Sequence, residues 1–433
     1  MPEALNALSA AFLSAEDVDH DNSLVIGSFS VLRGPAPSLA EVRRHVGGRL
    51  PPRYRERIRR TVLDLRAPAW EEDPDFVLRR HVVRMRVRAP GGDAEVAALV
   101  GERMAVRMDR DHPLWDITVC EGLGGDRWGL LCRIHHALAD GVSGTALLRV
   151  LYDIPADAAP RQVGLEDHRG SPWRRAAAAA VAAGRGGWAL SSAVLPVHGP
   201  SVSGVVGQGR RYAWTTVPLA SARAVRRRLG LTVNDVALAA VTGGFRDLLE
   251  HRGHAPHPRS VRTLVPVSAW NGASQEPDNH VTLMLADLPV HLDDPLERAR
   301  AVHGLVARLR RAGEPEAGVL AQQLLGVVPY PVVGAATRWA LRVPHHHLST
   351  VTTNVPGPRH RLSFLGREVE QMLPYVPVAD RVPVGVAMFS YDGRLTFGVT
   401  ADRHVEDLDV LVAGIDTAWW ALAGTKVPVP RDL

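Results

Sequence analysis

The sequence predicts an α/β (α+β) protein built as two domains, and three observations carry that expectation. The chain has 433 residues, roughly twice an ordinary domain. Apolar runs of strand character alternate along it with stretches of helical period. Between residues 155 and 212 this regularity stops: Pro, Ala, Gly and Arg dominate, with Ala176 to Ala180 as a small helical core. That stretch reads as a crossover linker between an N-terminal domain, 1–154, and a C-terminal domain, 213–433.

The elements follow in order. Leu5 to Asp17 has the spacing of a short amphipathic helix, and Ser23 to Leu32 that of a strand stopped by Gly34-Pro35. Ser38 followed by Glu41 is a capping box for a helix running to about Gly47. Trp70 to Pro74 is a turn, Phe76 to Val87 a strand mixing apolar and basic residues, and Asp93 to Met108 a helix. Asp116 to Glu121 and the apolar run Trp128 to Ile134 are two strands of a hairpin joined through Gly122 to Asp126. A helix over Ser143 to Tyr152 closes the first half.

After the crossover, Leu219 to Leu229 is a basic helix, and a second starts near Leu231 with Thr232 or Asn234 as its N-cap. Arg262 to Ser268 and His280 to Leu288 are strands. Helical patterns cover Pro295 to about Arg310 and Glu316 to Arg342. Leu348 to Val355 is β-rich, Val384 to Phe389 and Leu395 to Thr400 flank an Asp392-Gly393 turn, and Val410 to Leu422 is the closing helix.

Composition narrows the function classes. Hydrophobic residues at 46% and charged ones at 22% describe a globular protein rather than a disordered one. Lys426 is the only lysine among 51 basic residues, and the formal charge of +5 is too small to demand nucleic acid. No basic stripe is interleaved with aromatics, so no nucleic-acid partner is expected. A phosphate-bearing cosubstrate or an acidic membrane surface fits the charge equally well. Cys120 and Cys132 lack C-x-x-C spacing and read as buried free thiols. Met1-Pro-Glu-Ala has neither the basic region nor the apolar core of a signal peptide, so a cytoplasmic protein is expected. Gly186 to Gly209 and Ala317 to Thr337 carry little charge, but glycines and prolines interrupt both, and neither reads as a spanning helix. The second could lie on a membrane or line an apolar pocket, with core packing as the plainer reading.

Candidate chemistry concentrates at His135-His136-Ala-Leu-Ala-Asp140-Gly141. An apolar strand delivers two histidines to its C-terminal lip, and Gly141 allows a turn of positive φ. Two readings stand side by side. The histidines can close a core strand by bonding to backbone, or one neutral imidazole, with an ordinary pKa of about 6.5, can take a proton from a hydroxyl. His345-His346-His347 invites a metal, but neighbouring histidines cannot all face one ion and no carboxylate or Cys motif accompanies them, so no metal site is expected.

These residues belong to a longer series: Pro113-Leu114-Trp115 with Glu121-Gly122-Leu123, the His135-His136-x-x-x-Asp140-Gly141 motif, Asn234-Asp235-Val236, Pro266-Val267-Ser268, Asn354-Val355-Pro356-Gly357-Pro358 and Ser390-Tyr391-Asp392-Gly393. In that order they resemble the bacterial wax ester synthase/diacylglycerol acyltransferase family, within the chloramphenicol acetyltransferase-like, His-dependent acyltransferases. The resemblance implies two chloramphenicol acetyltransferase-like domains with mixed sheets flanked by helices and an active-site tunnel at their interface. It also implies transfer of a fatty acyl group from acyl-CoA to an alcohol such as a fatty alcohol or a diacylglycerol. Acyl-CoA would be a cosubstrate and no resident cofactor is implied.

By the family's pattern His136 would be the general base, His135 would support the fold or orientation, and Asp140 would turn inward to an Arg. Asn234, beside Asp235, is either the oxyanion donor or a plain helix cap. Pro113-Leu114-Trp115 reads as a turn with a buried aromatic in preference to a ligand contact. Ser268, Trp270, Asn279, Asn354, Pro356 and Gly357 are candidates for the tunnel wall, and Arg359 and Arg361 either meet CoA phosphates or are solvated surface.

Departures from the pattern fall on the acceptor side: Trp270 where the family has Arg, Asp278 before Asn279 where Gly is common, and Thr353 where Ser is favoured. They leave room for a specialised-metabolite hydroxyl or amine as acceptor and for an acyl carrier protein as donor. Peripheral association with the inner membrane surface or a lipid droplet, and a non-catalytic lipid-binding protein, complete the set of expectations.

Overall fold

The computed structural model describes residues 3–5, 7–61, 66–139, 150–153, 202, 204, 206–268, 281–311, 334, 348–358, 360–379 and 381–424. Its N-terminal part runs β1 (Glu3–Ala4), α1 (Ala7–Val18), β2 (Val25–Arg33), α2 (Leu39–Gly47), β3 (Glu56–Arg59), β4 (Ala69–Glu72), α3 (Leu78–His81), β5 (Val82–Arg86), α4 (Asp93–Ala105), β6 (Trp115–Leu123), β7 (Arg127–His135) and α5 (His136–Ala139). The C-terminal part runs β8 (Arg210–Pro218), α6 (Leu219–Leu229), α7 (Val233–His251), β9 (Arg262–Ser268), β10 (Val281–Asp287), α8 (Pro295–Arg311), β11 (Thr350–Val355), β12 (Ser363–Phe364), β13 (Arg367–Tyr375), β14 (Val384–Tyr391), β15 (Arg394–Asp402) and α9 (Leu408–Ala423).

Among the described residues, two six-stranded mixed sheets, ordered β12-β13-β2-β7-β6-β5 and β10-β9-β11-β14-β15-β8, organise most of these elements, and β1-β4-β3 form a small third sheet. In the first, only the β5–β6 pair is parallel. In the second, β11 runs parallel to both β9 and β14. Helices flank both sheets, so the α/β class with mixed sheets is what the chain adopts. Each six-stranded sheet has its own hydrophobic core. Phe29, Leu32, Trp115, Trp128 and Phe364 anchor one, and Phe245, Leu248, Val386, Phe397 and Trp419 the other.

Local rules place several elements where the sequence put them. Ser38 caps α2: its Oγ accepts from the Glu41 N–H at 3.2 Å and the Glu41 carboxylate accepts from the Ser38 N–H at 2.8 Å. The Asp392-Gly393 turn joins β14 to β15 in a continuous antiparallel register. Thr232, rather than Asn234, is the N-cap of α7.

Other elements differ. Phe76 to Val87 is not one strand; a helical turn at Leu78–His81 precedes β5. That turn buries His81, whose ring stacks on Trp115 at 4.7 Å. Strands β8 and β13 were not anticipated. In β13 the alternation is broken by Arg367, Glu368 and Glu370, by a register shift between Val369 and Gln371, and by Pro374. Pro374 is tolerated because, among the described residues, β12 reaches only Arg367 and Glu368 and leaves β2 as the one ladder partner at that point. Through β12 and β13 a C-terminal segment completes the sheet of the N-terminal part. Most of the 155–212 crossover lies outside the described residues, and its last three residues already belong to β8.

Candidate active site

Strand β7 is buried along almost its whole length because it lies inside the first sheet, between β2 and β6. That is why Trp128 to Ile134 reads as a mostly apolar run, with Arg133 as its one charge. Arg133 is held in the core by Asp116, whose Oδ1 accepts from Nε at 3.0 Å, and by the carbonyls of Arg103 and Val106. The ladder ends at His135, paired with Val25. Its N–H donates to Leu114 O and that of His136 to Leu24 O, both at 3.0 Å. Beyond them the chain turns directly into α5, with His136 as its first residue.

His135 therefore stands where a helix takes its N-cap, and it acts as one. Its fully buried Nδ1 accepts the N–H of Ala137, two residues on, at 3.0 Å. An accepting Nδ1 carries no proton, so the neutral ring has its hydrogen on Nε2. Nε2 lies 3.2 Å from Oε1 of Glu16, at a bent angle rather than in line. Nδ1 of His135 is thus engaged by the fold, and Nε2 is buried facing the Glu16 carboxylate. The His136 ring is half-buried and packs against Phe12, with centroids 4.2 Å apart.

Helix α1 supplies one side of this surround. Ser9, Phe12 and Glu16 share one helical face and meet three consecutive residues of the turn. Ser9 Oγ donates to Ala137 O at 3.1 Å, Phe12 packs on His136, and Glu16 faces His135. Glu16 is fully buried, yet it also accepts from the Leu24 N–H at 2.7 Å and from Nη2 of Arg110 at 2.9 Å. Burial opposes its charge; the His135 contact, the Leu24 N–H and Arg110 outweigh that and hold the carboxyl at about 2. Pro113-Leu114-Trp115 braces the opposite side. All three are buried, and Trp115 Nε1 donates to Tyr54 O at 2.7 Å.

A second polar cluster lies at the ends of α7 and β11. Nδ2 of Asn354 donates to Oδ1 of Asn234 at 2.9 Å, bringing together two residues 120 positions apart. Beside them, buried Asp235 completes the α7 capping box and meets Nδ1 of His303 at 2.7 Å. Past exposed Pro356, Gly357 sits against the β14–β15 hairpin. Its N–H donates to Ser390 Oγ at 3.1 Å, and a Cβ there would lie 1.9 Å from Ser390 O.

The geometry can be set beside known proteins. The profile of the wax ester synthase/diacylglycerol acyltransferase catalytic domain matches residues 5–194, and that of the WS/DGAT C-terminal domain matches 278–422. A probable diacylglycerol O-acyltransferase of Mycobacterium tuberculosis is 38% identical, covering 96% of this chain and 94% of its own. The chain belongs to the wax ester synthase/diacylglycerol acyltransferase family. It is an acyltransferase. The fold agrees: the wax ester synthase/diacylglycerol acyltransferase from Marinobacter aquaeolei VT8 superposes with a TM-score of 0.72 at 22% identity, covering 98% of this chain and 100% of that one. The starter condensation domain of rhizomide synthetase, solved with C8-CoA, shares the fold with a TM-score of 0.60 at 15% identity, covering 98% and 95%.

Within this acyltransferase, the other residues singled out from sequence are distributed unevenly. Asp140, Gly141, Trp270, Asn279, Arg359 and the His345–His347 run lie outside the described residues, and Ser268 is placed as the last residue of β9. Arg361 is exposed and engages Glu368 and Asp392. Cys120 and Cys132 are free and buried, and burial pushes both thiols up, Cys120 to about 12. Glu16 was not singled out from sequence. Its signal was there: it falls three residues after Leu13, on the face that the helical period assigns to the core.

Proposed function

We propose that this acyltransferase moves a fatty acyl group from acyl-CoA to an alcohol acceptor, foremost a diacylglycerol, with His136 as general base. The observation that carries the reading is the division of labour in the histidine doublet. His135 is buried, with Nδ1 capping Ala137 and Nε2 facing Glu16, and this supports His136 as the residue that moves the proton. The His136 imidazole takes the acceptor's hydroxyl proton as the oxygen attacks the thioester carbonyl. The tetrahedral intermediate collapses with loss of the CoA sulfur, to which the imidazolium returns the proton. No acyl-enzyme is required, and the two buried, strongly protonated thiols offer no nucleophile for one. Asn234 is the proposed oxyanion donor, its carboxamide oriented by Asn354. Diacylglycerol comes first because the 38% identical relative carries that acceptor in its name.

We further propose peripheral docking on an anionic membrane, where such lipids reside. No helix among the described residues is long and apolar enough to cross a membrane. Helix α6 buries Ala222 and Val225 and exposes Arg223, Arg226, Arg227 and Arg228, a cationic face suited to acidic headgroups. Purified protein should cosediment with phosphatidylglycerol-containing vesicles, less so at high salt and less again with Arg223, Arg226 and Arg227 changed to Gln. Binding indifferent to both would exclude that face as the dock.

The catalytic proposal is tested by CoA release from palmitoyl-CoA with a diacylglycerol, with hexadecanol and without acceptor. Acceptor-dependent release should fall about 1,000-fold in His136→Ala with the fold intact. Release unchanged in that variant would remove His136 as the base. Folded wild-type protein inactive with both lipids would point to a specialised hydroxyl or amine acceptor, or to an acyl carrier protein as donor.

A further inference from the structure

We propose that Glu16 is the positioning residue of this active site: its buried carboxylate selects the ring tautomer of His135 whose Nδ1 caps the helical turn carrying His136. The inference rests on His136 being the base, and it adds a residue that acts on that base through its neighbour.

An N-cap must accept a hydrogen bond, and an imidazole nitrogen accepts only when it bears no proton. A neutral histidine can place its hydrogen on either nitrogen, so capping by Nδ1 requires the hydrogen to stay on Nε2. Oε1 of Glu16, 3.2 Å from Nε2, is an acceptor and favours that tautomer electrostatically, although the contact is too bent for a full hydrogen bond. Arg110 at 2.9 Å and Arg107 at 3.5 Å occupy the other carboxylate oxygen and offset its charge. The Leu24 N–H and Arg110 hold the carboxylate in place. Were the hydrogen on Nδ1, it would confront the Ala137 N–H and the turn would lose its cap.

The turn is worth fixing because His136 is its first residue. The direction of its ring follows from the backbone of α5 and from Phe12, and α1 controls both. Ser9 holds the Ala137 carbonyl, Phe12 the His136 ring and Glu16 the His135 tautomer, all from one helical face. A loosened turn would leave both substrates able to bind while the base spends less time in line with the hydroxyl. The loss should therefore appear in kcat rather than in KM.

The test combines nitrogen-15 imidazole spectra with a double-mutant cycle. In Glu16→Gln the single amide oxygen is drawn to the two arginines, which turns the NH2 toward Nε2 at the expense of the Leu24 N–H contact and favours the opposite tautomer. In His135→Asn the carboxamide oxygen can still accept from Ala137, but nothing remains for Glu16 to act on. Glu16→Gln should lower kcat for acyl transfer from palmitoyl-CoA by about 10- to 100-fold in the wild-type background. In the His135→Asn background the same change should cost less than about twofold. KM for palmitoyl-CoA should stay within about twofold throughout. Equal losses in both backgrounds would mean that Glu16 acts through the general fold, and would overturn the proposal.

The spectra need no turnover. Resonances of His135, identified by their absence in His135→Asn, should show the proton on Nε2 in the wild-type protein and a shift toward Nδ1 in Glu16→Gln. A wild-type His135 protonated on Nδ1 overturns the proposal even if Glu16→Gln does not fold. Full activity in His136→Ala would instead remove the base assignment and leave the tautomer result standing, so the two failures are distinguishable.

Discussion

At the scale of single residues, a fully buried carboxylate is the feature with the clearest physical consequence. The Glu16 carboxyl is held at about 2, against 4.5 for an exposed glutamate. A folded-state value below the unfolded one means that the native state is stabilised while the group is charged. That stability is fully present above about pH 4.5 and is lost as the pH falls toward 2. Denaturant titrations across this window should show a steep loss in the wild-type protein and a flatter profile in Glu16→Gln; parallel profiles would contradict the assignment. The histidine doublet was legible in the sequence because its chemistry is carried by residue type and spacing. Which histidine serves the fold was legible only through the family resemblance, since its physical cause is a glutamate about 120 residues earlier in the chain.

At the scale of elements, capping rules carried most of the local reading. The Ser38–Glu41 box on α2 is complete in the structure, and α7 repeats it with Thr232 and Asp235. Because Thr232 satisfies an otherwise orphaned N–H at 3.1 Å, Thr232→Ala should cost about 1 kcal/mol. The same substitution should lower kcat if Asn234, on the first turn of α7, works in the site; thermal denaturation and CoA release separate the two effects. Elements that the sequence hid are those whose pattern is overridden by neighbours. β13 carries half-buried charges and a proline yet is held by β2, and the edge strand β8 packs against α4, where Gly101 meets the Arg210 backbone. Neither partnership leaves a periodic mark in the strand itself.

At the scale of the whole molecule, the two sheets are held together where β13 meets β8 and β15. Tyr212 of β8 donates to the Pro374 carbonyl at 2.8 Å, its ring lies 6.1 Å from that of Tyr375, and Gln371 Nε2 donates to Thr216 Oγ1 at 3.2 Å. Gly398 lets the sheets approach, since a Cβ there would stand 2.0 Å from Pro374 O and 2.7 Å from the Tyr212 hydroxyl. The first of these is backbone in a paired strand and cannot step aside. Gly398→Ala should therefore destabilise the protein by about 2 kcal/mol or more, read as a lower denaturation midpoint. An unchanged midpoint would show that the two sheets tolerate separation at this point.

By itself the sequence determined the α/β class, the position of most helices and hairpins, the acyltransferase family and the histidine turn as the seat of chemistry. Each of these is written in nearby residues, as period, cap, turn or ordered motif, and needs no knowledge of what lies across the core. The tertiary structure decided that a C-terminal strand completes the N-terminal sheet, that Asn234 finds Asn354, and that Glu16 and His135 share one buried site. These depend on contacts between distant segments, where pairing is set by burial and by the demand that every buried charge and donor find a partner. No local pattern records such a demand.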